Sequence, residues 1–108
     1  MVAPAYVCPD KFVVVSAIKP GATERTKFVV AGFHGGYLHG DSWRVSRDVV
    51  KVTDEGDYWI METRTGSVYQ LYKGRYGTTG MTAGIIEDMK RGAVEAPEMG
   101  WQIEEEYK

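Results

Sequence analysis

Cysteine is nearly absent: Cys8 is alone, so no disulfide can staple the chain internally and stability has to come from a core or from assembly. Long apolar runs are missing too. The most apolar stretch, Phe12–Ile18, is seven residues with Ser16 inside it, against the roughly 20 apolar residues of a membrane-spanning helix. The opening residues Met-Val-Ala-Pro-Ala-Tyr lack the positive segment of a secretory leader, so the expected compartment is the cytoplasm. Excess charge of one sign is also lacking. Thirteen Lys and Arg stand against fifteen Asp and Glu, a formal net charge of −2, which argues against bulk coating of nucleic acid or of an anionic membrane.

What is present is ordinary globular material in one domain's worth of chain, 108 residues with 44% hydrophobic and 26% charged side chains. Its distinctive content is 13 aromatics and 13 glycines. That pairing points to compact β structure with many tight turns. Residues 1–10, with Pro4 and Pro9, read as a lead-in. Phe12–Ile18 is β-branched and short, a strand buried on at least part of both faces, and Lys27–Phe33 returns as a second strand. A glycine cluster follows at 32–40. Trp43–Val45 and Val50–Thr53 alternate on either side of Ser46-Arg47-Asp48. Tyr58–Thr63 and Ser67–Tyr72, joined by the turn Arg64-Thr65-Gly66, then complete a three-strand meander with Val50–Thr53.

Beyond that meander the period changes. Thr78 or Thr79 is placed to cap a helix over 79–92. Met81, Ile85 and Met89 recur on one face, and Gly92 stands as a stop after Lys90-Arg91. Residues 93–108 form an acidic tail. Residues 87–108 carry a net −4, leaving +2 for residues 1–86. Trp101 is expected to dock the tail on the sheet, because an indole left in water wastes its apolar area. The expected fold is β-rich α+β, an antiparallel sheet or small barrel of about five or six strands with one C-terminal helix.

Catalytic and metal signatures stay incomplete. His34 and His39, five apart in a glycine-rich loop with Asp41 nearby, fall short of a ligand set, and no metal is expected. The glycine cluster has no following Lys-Ser or Lys-Thr, so it is not a phosphate-binding loop. Ser67 lacks the second glycine of a nucleophile elbow, and Cys8 has no neighbouring base. No cofactor is called for, and the chain is expected not to be an enzyme. A small hydrolase using His34 or His39 ranks last among the readings.

One constellation has binding chemistry in it. Tyr69-Gln-Leu-Tyr72-Lys73-Gly-Arg75-Tyr76, with Trp43-Arg44 on an earlier strand, interleaves aromatic faces with bases. Aromatic rings stack on nucleobases and guanidinium groups pair phosphates. Arg44, Lys73 and Arg75 would hold phosphates, and Trp43 or Tyr69 would stack the base. The plainer reading of the same residues is cross-strand packing beside a solvated edge.

Gly40-Asp-Ser-Trp-Arg-Val-Ser-Arg47, then Asp57-Tyr-Trp59, then Thr65-Gly-Ser-Val-Tyr-Gln-Leu71 resembles small phage-encoded β-proteins. The layout over residues 36–77 is similar to that of the Thoeris anti-defence sponge proteins. That resemblance implies an antiparallel sheet followed by a helix, assembly into a homo-oligomer, and capture of a nucleotide-derived immune signal without catalysis. The expected partner is then a nucleotide-like small molecule, with no membrane and no bulk nucleic acid. The competing expectation is a protein–protein interaction module, or an inhibitor of a host defence complex such as an anti-CRISPR. It rests on Trp, Tyr, Met and Arg, the residue types enriched at interfaces.

Overall fold

Residues 12–17 are buried without a break, which requires cover on both faces of their strand. The structure, a computed structural model, describes residues 6–18, 20–34, 42–95 and 100–108. Its elements run β1 (Tyr6–Val7), β2 (Lys11–Ala17), β3 (Thr26–Phe33), β4 (Ser42–Val45), β5 (Val49–Asp54), β6 (Tyr58–Thr63), β7 (Val68–Tyr72), α1 (Gly80–Glu95) and β8 (Gln102–Ile103). A 3-10 turn at Glu105–Tyr107 ends the chain. The strands form one eight-stranded sheet in the order β1-β7-β6-β5-β3-β2-β8, with β4 paired beside β5 on the same edge of β3. This is the expected β-rich α+β architecture. Two of its strands, β1 and β8, are only two residues long, and β1 runs parallel to β7.

The sheet is not closed, but it curls strongly. One face gathers Phe12, Val14, Val29 and Ala31 from β2 and β3 against Met61, Tyr69 and Leu71 from β6 and β7, with Tyr107 set among them. Phe12 N–H donates to Arg75 O at 3.2 Å and Gly77 N–H to Phe12 O at 2.8 Å, so the chain leaving β7 touches β2 through a single bridge. The opposite face carries Val13, Val15 and Val30, covered by Ile86 of α1 with Phe28, Ile85, Met89, Trp101 and Ile103 around it. Two apolar layers thus share β2 and β3.

Helix α1 starts where Thr79 accepts from Thr82 N–H at 3.2 Å and Thr79 N–H donates to Thr82 Oγ1 at 2.7 Å, a reciprocal cap with threonine in the place usually taken by Glu. With its hydroxyl satisfied, Thr82 can be buried. The covered stripe therefore runs through Thr82 and Ile86, while Met81 is exposed. Of the expected face Met81, Ile85 and Met89, the last two pack against the core, while Met81 is replaced there by Thr82. Gly92 does not end the helix, which continues to Glu95. At Gly32 a Cβ would come within 2.6 Å of Thr79 Cγ2, so glycine is what lets β3 approach the helix cap.

Candidate functional site

Among the described residues, β4 is the one strand of more than two residues whose side chains are all exposed. Its position follows from a bend. Ser46 N–H donates to Val29 O at 2.9 Å, and Ser46 Oγ accepts from Val29 N–H at 2.8 Å. A buried serine thus stands in for a strand partner, and β4 and β5 become two segments of one broken strand along β3. β6 stops at Thr63, opposite Val49, and Arg64 N–H reaches only Asp48 O. Beyond that point no described strand pairs the outer edge of β4.

Trp43 and Val45 lie opposite Gly32 and Val30, on the helix-covered side of the sheet, where they are 49% and 37% exposed. Arg44 lies opposite Ala31 and points to the other face. There its guanidinium lies near the hydroxyl of Tyr69, whose pKa burial pushes up against the opposing pull of Arg44. Tyr69 itself is 2% exposed, in the middle of the core. It offers no ring face to a ligand, so the stacking role expected of it is withdrawn. Its aromatic side chain packs against β6, where Met61 is its cross-strand partner.

Lys73 and Arg75 belong to a different place. Lys73 lies four residues past Tyr69, about 13 Å at ~3.3 Å per strand residue. Its ammonium pairs with Asp54 at 2.7 Å and sits 4.3 Å from the ring centre of Trp59. The Lys73 ammonium and the Gly56 N–H hold the Asp54 carboxyl below its ordinary value. Arg75 lies over Tyr72 at 5.1 Å, and Tyr72 packs on Tyr58. The five residues expected to form one ligand site are therefore split. Trp43 and Arg44 share β4 on opposite faces, Tyr69 is interior, and Lys73 and Arg75 are drawn onto aromatic rings at the far end of β7.

Two further groupings escaped the sequence reading. At the open end of the curled sheet, Lys27 Nζ donates to the Tyr107 hydroxyl at 2.6 Å, and Tyr107 meets Trp59 edge-on at 5.1 Å. The Tyr107 hydroxyl raises the Lys27 pKa. The second is a groove of about 270 Å³ between α1 and the tail, with Val15, Ile86, Met89, Trp101 and Ile103 among its walls. Alternation within strands could have flagged Lys27, which shares a face with Val29 and Ala31. Nothing local pairs it with a residue 80 positions away.

Among the described residues no group of three His, Cys, Asp or Glu is placed to hold a metal. His39 and Asp41 lie outside the described residues, while His34 N–H donates to Asp10 Oδ2 at 2.7 Å. Comparison with family models, with curated proteins and with solved structures finds no match.

Proposed function

We propose that this protein is a non-enzymatic binding module that recognises a macromolecular partner through β4. The observation that carries the reading is the half-exposed indole of Trp43 beside exposed Val45, on a strand whose outer edge has no described partner. Tryptophan and arginine dominate the energetics of protein interfaces, and β4 presents Trp43-Arg44, with exposed Arg47 two residues past its end. Met81, also exposed, stands one residue before Thr82 at the helix end that packs beside β4. The comparisons add nothing to the anti-defence resemblance, so the partner is defined by surface chemistry alone.

Affinity capture with the intact chain, scored against a Trp43→Ala variant, tests this. A stoichiometric partner retained by the wild type and lost by the variant is the expected result. Capture that is indifferent to Trp43 would overturn it. Nucleotide capture is the second reading, supported by the exposed indole of Trp43 on a strand that also carries exposed Arg44 on its other face. It requires a rise in melting temperature with cyclic or linear dinucleotides, about 2.7 kcal/mol of added stability at 100 times the dissociation constant. A silent panel at millimolar ligand removes it.

A further inference from the structure

We infer that the outer edge of β4 takes an added β-strand from a partner, and that this strand alternates apolar and acidic residues. The inference rests on the reading of β4 as the recognition surface and specifies what that surface binds.

The backbone supplies the first half of the argument. Ser46 turns its N–H toward Val29 of β3. Successive residues of a strand direct their hydrogen-bonding groups to opposite sides, so Arg44 and Ser42 also turn theirs toward β3. Trp43 and Val45 therefore present N–H and C=O groups along the outer edge, where no described strand lies. A row of such groups is a template for another extended chain. Side-chain contact alone would leave these groups to water, whereas an added strand pairs them.

The side chains supply the second half. An added strand lies about 4.8 Å from β4, with its own side chains alternating between the same two faces. On the face of α1 it meets Trp43 and Val45, which call for apolar residues. On the other face it meets Arg44. Among the described residues neither Arg44 nor Arg47 has a carboxylate within ion-pair distance. The Arg44 contact to Tyr69 is to a neutral hydroxyl, so no described carboxylate compensates its charge. Opposite charges across a strand pair are favourable and like charges directly opposite are not. Acidic residues therefore belong on that face. The same rule disfavours a second copy of β4, which brings a second Arg44 to the face that already holds one.

The probe is a labelled eight-residue peptide of alternating valine and glutamate, followed by fluorescence anisotropy with the intact chain. Three comparison peptides go with it. One replaces glutamate by lysine. The other two carry N-methyl groups on alternate residues, one on the valines and one on the glutamates. The glutamate peptide is expected to bind at least about tenfold tighter than the lysine peptide. N-methylation of one set is expected to abolish binding and that of the other set to be tolerated, because only one edge of the peptide meets β4. Trp43→Ala should weaken the glutamate peptide without changing the far-ultraviolet circular dichroism.

Binding that survives both N-methylations, but needs Trp43, overturns strand addition and leaves β4 as a side-chain surface. Binding indifferent to Trp43 overturns both. No binding of the glutamate peptide, or equal binding of the lysine peptide, overturns the acidic-strand assignment. Concentration-dependent dimerisation lost in Trp43→Ala assigns the edge to a second copy instead.

Discussion

Glu104 ties three segments together. Its carboxylate accepts from Ser16 Oγ and from Gln102 Nε2 at 2.9 Å, and the Arg25 guanidinium lies 3.8 Å away. Arg25 in turn donates to Ser16 Oγ at 2.9 Å and to the carbonyl of Gly100. Ser16 is fully buried, so its hydroxyl needs partners, and an unmet buried group is costly. The Ser16 hydrogen bond above all, then that from Gln102, lowers the Glu104 pKa below its ordinary 4.5. A carboxyl with a depressed folded-state pKa stabilises the fold above its unfolded value, and that contribution is lost as pH falls through the folded value. Melting temperature measured downward from pH 6 should therefore fall less steeply in Glu104→Gln than in the wild type. Parallel acid profiles would show that the contact carries no linkage. By contrast, burial pushes the Tyr76 phenol up to about 12 while it donates to Glu104 O at 2.8 Å, so Tyr76 stays a neutral strut at every working pH.

At the scale of elements, the important device is the break between β4 and β5. Both pair with β3, and the register shifts again between Val49 and Lys51 against β6. An interruption of this kind bends a strand and sharpens the local twist. Here it sends β4 along β3 while β5 turns away to begin the meander. Ser46 makes the break tolerable by supplying both a donor and an acceptor to Val29. Ser46→Ala removes the acceptor and leaves the Val29 N–H buried and unpaired, at a cost of about 1–3 kcal/mol. The expected readout is a lower denaturant midpoint at an unchanged slope. A midpoint within error of the wild type would mean that water replaces the hydroxyl. The same substitution should weaken recognition at β4, since the strand's direction depends on that pivot.

For the whole molecule, the last nine residues complete the fold. Ile103 pairs with Val15, Trp101 packs on Phe28 at 5.8 Å, and Glu104 N–H donates to Val14 O at 2.7 Å. Tyr107 then enters the curled face at 5% exposure and meets Trp59 and Lys27. A chain near 100 residues gains only modest stability from its own core, so one large buried ring is a sizeable share of the total. Tyr107→Ala should cost about 3 kcal/mol by leaving a cavity between β3 and β6. Tyr107→Phe, which keeps the ring and loses only the Lys27 contact, should cost about 1 kcal/mol. Thermal unfolding of the two variants checks the ordering, and equal losses would assign the effect to the hydroxyl alone.

Local pattern was enough for much of this. The meander over β5, β6 and β7, the buried β2, the Thr79 cap and the docking of Trp101 follow from alternation, turn residues and capping chemistry, which act over a few positions. The helix stripe was legible to within one residue, because the choice between Met81 and Thr82 hangs on whether a hydroxyl finds a partner. The candidate site was legible only as a set of residue types. Trp43 and Arg44 were visible as an aromatic–basic pair, but alternation in a short strand could not say that both would remain exposed. That depended on where β6 stops and on the bend at Ser46. The gathering of Tyr69, Lys73 and Arg75 into one site with them failed for the same reason. Curling of the sheet takes Tyr69 into the core and leaves the two bases on Trp59 and Tyr72. The sequence by itself determined the longer strands, the presence of the helix and the nearly neutral net charge. Only tertiary structure decided which edge no described strand covers, because an edge is defined by the strand that does not lie beside it.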